Sequence, residues 1–155
     1  MNASTAQHLR IMSPAFAVEH LPHEGMPEDD WLVLVRAPEG LTVVREARGG
    51  DAAEQWIAFY GGATAHGLDV PGMLSAIVKP LAEAAIPVFV ASTFHADLVL
   101  VPALRKQQAI AVLEEAGHQV SQDGEAGERS GHGTRNVLKI LVVWPGGISG
   151  FRLGS

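Results

Sequence analysis

Between residues 54 and 121 the spacing of apolar side chains switches between two periods in a fixed order, and that order admits few folds. Gln55 to Tyr60 alternates and is rich in aromatic and β-branched types, which predicts a strand. Gly72 to Ala85 then carries Met73, Leu74, Ile77, Val78 and Leu81 at spacings of three and four, the pattern of one helix face. Pro80 lies inside that helix and should bend it, because it has no N–H for the carbonyl of Ala76. Ile86 to Ala91 is apolar on both faces, which predicts a buried central strand with Pro87 near its start. After a short loop, Ser92 to Ala96, comes a strand at Asp97 to Val101. Pro102 is placed to open a second helix at its first turn, and Gly117 to close it after Glu114, Glu115 and Ala116. His118 to Ser121 supplies one last short strand. The order is β-α-β-β-α-β, which predicts an α+β fold of ferredoxin-like type with two helices on one face of an antiparallel sheet.

Upstream, residues 9–21 predict a strand through Ile11, Phe16, Val18 and Leu21, with Pro14 marking a bend or an edge. An acidic, proline- and glycine-bearing stretch from Glu24 to Asp30 predicts a solvated connection. Trp31 to Arg36 and Leu41 to Arg45 then form a hairpin pattern across Ala37-Pro38-Glu39-Gly40. Residues 9–50 are thus a β-rich half that extends or duplicates the sheet of residues 54–121. Residues 122–135 are polar and glycine-rich and predict a flexible linker. Within the last segment, 136–155, Val137 to Trp144 is strongly strand-prone. Left exposed it would be an aggregation hazard, so it is expected to pair with a sheet edge of its own chain or of a second subunit.

Charge and composition remove several functions. With 11 Lys and Arg against 17 Asp and Glu among 155 residues, the net charge is −6, and no basic stripe is present to neutralise phosphates, which argues against nucleic-acid binding. Cysteine is absent, so disulfides, thiolate catalysis and Cys-ligated zinc are excluded together. The first eight residues have neither the basic start nor the apolar stretch of a secretory signal, and no apolar run reaches the ~18–20 residues that span a bilayer. A cytoplasmic protein is the expectation.

The residues that carry chemistry converge on two loops. At 68–73, Gly72 lets the backbone approach a ligand closely, and the helix starting there points N–H groups outward with partial positive charge, a cradle for a carboxylate. Asp97, at the start of a neighbouring strand, can accept from an ammonium group. The alternative is that Asp69 only caps the helix and Gly72 only permits tight packing. Ser92, Thr93 and His95 cluster beside this site. A hydrolase would use Ser92 or Thr93 as nucleophile and His95 as base, but no G-x-S-x-G elbow activates either hydroxyl, and hairpin hydrogen bonding or ligand contact is favoured. His66 precedes the site in an exposed loop. Glu19-His20-Leu21-Pro22-His23-Glu24 holds two histidines flanked by carboxylates. Pro22 breaks the geometry that would bring them to one face and no third ligand is evident, so neither a metal nor another cofactor is expected. Trp31, Trp56 and Trp144 sit in strand-like runs as core or interface anchors.

Three stretches in this order carry a family resemblance. Leu68-Asp69-Val70-Pro71-Gly72-Met73-Leu74 resembles the D-x-P-G-x-L signature of ACT domains. Residues 86–102, IPVFVASTFHADLVLVP, are similar to the I-P-[IV]-F-x-[IV]-S-T-[YF]-x-x-D-[YF]-[IVL]-L-V hairpin of the ACT subfamily of CASTOR-type arginine sensors and small bacterial tandem-ACT proteins. Ala116-Gly117-His118 fits that family's A-G-H close, and residues 9–50 resemble the second ACT-like half more loosely. The resemblance implies a regulatory module that binds an amino acid at an interface between ACT units. His95 stands where the family often has an acidic residue, and Leu98 where it often has an aromatic, departures that leave the identity of the ligand open.

Residues and resemblance together place ligand contacts at Asp69, Val70, Gly72, Met73, Ser92, Thr93, His95 and Asp97. They favour a non-catalytic sensor, expected to be a homodimer that joins through a sheet or helix interface. Two other readings stay open: an ACT-like scaffold recruited as an enzyme on an amino-acid-like substrate, with His95, Asp97 and His66 as acid/base groups, or a structural dimerisation module.

Overall fold

The long strand predicted at 9–21 forms as β1 (His8–Leu21) and is the spine of the molecule. The computed structural model describes residues 5–22, 25–62, 70–122 and 140–143. The hairpin expected at 31–45 forms as β2 (Val33–Ala37) and β3 (Gly40–Glu46). Its ladder closes on the pair Ala37 and Gly40, so Pro38 and Glu39 alone make the turn. Gly40 has φ 128° and a Cβ there would stand 2.5 Å from the Leu21 carbonyl oxygen, so only glycine fits the turn. Next come β4 (Gln55–Tyr60), α1 (Met73–Glu83), β5 (Phe89–Ser92), β6 (Asp97–Pro102), α2 (Lys106–Glu115), β7 (Gln119–Gln122) and β8 (Ile140–Val143).

One edge of β1 pairs antiparallel with β4, from Arg10 opposite Tyr60 to Ala17 opposite Gln55. The register shifts between Met12 and Phe16, around Pro14, which has no N–H to give the ladder. The other edge is divided: residues 8–11 take β7 in parallel, and residues 16–21 take β3 antiparallel. The sheet runs β5-β6-β4-β1-β3-β2-β8, with β7 beside β1. The C-terminal strand therefore pairs with its own chain, parallel to β2. Of the predicted linker, Gln122 belongs to β7 and the remainder lies outside the described residues.

Three expectations are corrected. The β-α-β-β-α-β order is present, but a ferredoxin-like sheet would set its last strand beside its first. Here β4 is paired on one edge by β6 and on the other by β1, so β7 has no edge of β4 to join and docks on β1 instead. Second, the apolar run 86–91 forms an edge strand: among the described residues β5 pairs with β6 alone. It is apolar on both sides because both faces of the sheet are covered. Val88 and Val90 pack toward the helices, and Phe89 and Ala91 into the opposite cluster. Third, Pro102 ends β6 opposite Trp56 instead of opening a helix, and a 3-10 turn, Ala103–Arg105, leads into α2.

Both helices lie on one face. Ile77 and Leu81 of α1 and Ala109 and Leu113 of α2 pack with Leu9, Ile11, Phe59, Val99 and Val101, all buried. Each such Leu, Ile or Phe contributes about 1.5–3 kcal/mol on leaving water. On the other face Ala58, Leu98 and Leu100 join Phe16, Val33 and Val44 in a second buried cluster. Trp56 packs against that cluster and Trp31 against a third, formed by Leu34, Leu41 and Val43, while Trp144 lies outside the described residues. Among the described residues no helix is long and apolar enough to cross a membrane.

The end of α2 is tied to α1. Gly117, at φ 95°, turns the chain, and the His118 N–H donates to the Leu113 carbonyl. The His118 ring is buried. Its Nδ1 accepts from the Gln7 N–H at 3.1 Å, which leaves Nε2 to donate to the Ala76 carbonyl at 2.9 Å. Gln7, also buried, donates from its side-chain Nε2 to the Met73 carbonyl at 2.8 Å.

Candidate functional site

The start of α1 is set by backbone conformation. Gly72 takes the cap position at φ 86°, ψ −3°, a left-handed conformation that L side chains rarely adopt, and supplies no side-chain acceptor to the first-turn N–H groups. Among the described residues a Cβ at Gly72 would meet nothing closer than Ser75 Oγ at 3.8 Å and Thr5 Cγ2 at 4.0 Å. Among the described residues nothing crowds that position, so the left-handed φ is what calls for glycine there. Ser75 turns its hydroxyl back to donate to the Gly72 carbonyl at 3.0 Å.

Facing this end is the β5–β6 connection. Thr93 is engaged in holding the turn: its N–H and hydroxyl donate to the Ala96 carbonyl at 2.7 and 2.9 Å, and its Oγ1 accepts from the N–H groups of Ala96 and His95 at 3.0 and 3.3 Å. Ser92 and Asp97 are cross-strand partners, and Ser92 Oγ donates to Asp97 Oδ1 at 2.6 Å. That bond orients the carboxylate. Asp97 Oδ2 has no protein partner among the described residues. The Asp97 carbonyl accepts from the Gly61 N–H at 3.1 Å, which fixes the start of β6.

Between these walls lies an open cleft of about 670 Å³. Val70, Gly72 and Met73 line it from the helix side, and Ser92, Thr93, His95 and Asp97 from the strand side. The structure thus brings seven of the sequence-selected residues to one place; Asp69 and His66 lie outside the described residues. Sequence reasoning missed Ser75, Val90 and Phe94, and it read Leu74 and Val78 only as part of one apolar helix face with Met73, Ile77 and Leu81. Leu74 and Val78, four apart, line the cleft, and Leu74 packs at the same time against the core cluster that holds Ile77 and Leu81.

The nucleophile–base arrangement considered for this loop is not assembled. Ser92 is bonded to Asp97 and Thr93 to the turn, whereas the exposed His95 ring packs edge-on against Phe94, with centroids 4.9 Å apart at 81°. At the N-terminal histidine pair, the ring of His20 bonds the Glu39 carbonyl at 3.0 Å, and His23 and Glu24 lie outside the described residues. Among the described residues no three His, Asp or Glu side chains converge as metal ligands would.

Residues 51–115 match the family model of the ACT domain, a span that holds both walls of the cleft. In structure the chain is similar to the protein Atu0741 of Agobacterium tumefaciens, with a TM-score of 0.66 at 21% identity over 80% of this chain and 98% of that one. It is also similar to VC0802 of Vibrio cholerae, a protein of unknown function described as a possible transport protein. That likeness has a TM-score of 0.57 at 24% identity over 71% of this chain and 87% of that one. Both likenesses reach well beyond residues 51–115, so the shared fold includes more than the matched segment. No curated protein is a significant match. An ACT domain points in general to regulatory binding of a small molecule.

Proposed function

We propose, from the ACT-domain match of residues 51–115, that this chain is a regulatory module that binds an amino acid in the cleft between α1 and the β5–β6 connection and has no catalytic activity of its own. One observation carries the reading: the N-terminal end of α1, where Gly72 at the cap position has no side chain to bond the first-turn N–H groups, and Asp97 line the same cleft. The ligand carboxylate is received by first-turn N–H groups, where the helix dipole favours negative charge. Its ammonium is received by Asp97, held in place by Ser92. Residues 9–50 serve as the second, β-rich ACT-like half, and two copies of the cytoplasmic chain pair through a sheet or helix face. Ligand binding then shifts that interface by differential affinity for two arrangements.

The test is thermal unfolding of the protein with each proteinogenic amino acid in turn. A ligand that binds only the folded state raises the midpoint as its concentration rises, and Asp97→Ala abolishes that rise. A wild-type midpoint unmoved by every amino acid contradicts the proposal.

A further inference from the structure

We infer that the cleft selects amino acids with an apolar side chain and rejects those with a charged one; this rests on the amino-acid-binding reading of the same site. Apart from its polar end, the lining is apolar, formed by Val70, Leu74, Val78, Val90 and Phe94. Two of these residues are unusual in their exposure. Among the described residues the exposed large hydrophobics are Met26, Val70, Phe94 and Leu104, and the pair on the cleft, Val70 at 39% and Phe94 at 70%, stand on its two opposing walls. A single exposed apolar side chain needs no explanation, but two that line one cleft form a surface that an apolar ligand group would remove from water.

Charge points the same way. Among the described residues Asp97 is the only Asp, Glu, Lys or Arg in the lining, and one of its oxygens is already taken by Ser92. That single carboxylate matches one ammonium. A lysine or arginine side chain would bring a second cation with no partner among the described lining residues. Among the described residues an acidic side chain would meet no lysine or arginine, and His95, the other ionisable group there, sets its ring against Phe94. Size does not discriminate: at about 670 Å³ the cleft lies within the ~300–1,000 Å³ of small-ligand sites and admits any amino acid. The selection is therefore chemical.

The experiment is isothermal titration of the full chain with L-leucine, L-phenylalanine, glycine, L-arginine and L-glutamate, repeated on Phe94→Ala. Phe94 is largely exposed, so the variant folds. L-leucine or L-phenylalanine should bind about tenfold or more tightly than the other three, and Phe94→Ala should shrink that preference while leaving glycine unchanged. Arginine or glutamate binding as tightly as leucine and phenylalanine overturns the inference and leaves amino-acid binding standing. A preference unaltered in Phe94→Ala overturns its assignment to these walls. If none of the five binds while another amino acid raises the thermal midpoint, the inference is overturned and amino-acid binding stands; if no amino acid does, the reading of the site fails and the inference falls with it.

Discussion

His118 donates from Nε2 to the carbonyl oxygen of Ala76 at 2.9 Å, the acceptor that Pro80 cannot reach. A proline inside a helix leaves the carbonyl four residues earlier without its helical donor, and here a side chain from beyond the end of α2 supplies that donor. The same ring accepts from the Gln7 N–H, and the Gln7 side chain holds the Met73 carbonyl in the first turn of α1. One buried imidazole thus joins the ends of two helices and the start of β1, next to the cleft. Among the described residues no buried side-chain nitrogen or oxygen is left without a partner.

His118→Ala should destabilise the protein by about 1–3 kcal/mol for each polar group it leaves unpaired, read from denaturant midpoints. Pro80→Ala restores an N–H opposite Ala76, so the His118→Ala penalty should be smaller in that background, by a coupling of about 0.5–3 kcal/mol. Additive penalties would mean that the ring acts only by filling space.

Gly72→Asp separates folding from binding. An aspartate tolerates the left-handed conformation better than most residues, and its charge suits a helix N-terminus, so unfolding midpoints should shift by no more than about 1 kcal/mol. The new carboxylate occupies the place of the ligand's own, and titration calorimetry should show binding weakened by at least about tenfold. Unchanged affinity would remove the helix end from the site.

Arg45 joins β3 to β1 and to the connection before β2. Its Nε and Nη2 both donate to Glu19 Oε2, and its Nη1 donates to Asp29 Oδ2 at 3.0 Å. The hydrogen bond to Glu19 raises the guanidinium above its ordinary range, burial opposes this, and the charges of Glu19 and Asp29 add to the rise. A base whose folded value is raised contributes stability that is complete below its unfolded value and is lost only as pH rises through the folded one. For Arg45 both lie far above neutrality. Its contribution should therefore not vary with pH between neutral and mildly alkaline solution. Arg45→Ala should cost about 1 kcal/mol, less at high salt, and Arg45→Lys should recover only part because it lacks the planar fork. Equilibrium unfolding in low and high salt checks all three.

Local pattern in the sequence carried most of the elements. Alternation marked β4 at its observed bounds, and spacing of three and four marked α1, because each depends only on near neighbours. What stayed hidden depends on distant partners. The docking of β7 on β1 follows from β1 occupying the edge of β4, and β1 precedes it by a hundred residues and more. A strand apolar on both sides can be central or can be an edge between two covered faces, and β5 is the latter. At the site, Gly72 and Asp97 were legible as types of residue that receive a carboxylate and an ammonium. Gln7 was not, since its partners lie 66 and 111 positions away and nothing local marks a glutamine for burial.

The most direct measurement is amide chemical-shift mapping of the labelled protein as L-leucine or L-phenylalanine is titrated in. Binding in the cleft predicts saturable shifts concentrated at Gly72 to Ser75 and at Ser92 to Asp97, absent in Asp97→Ala. Shifts confined to other elements, or none with either amino acid, would contradict it.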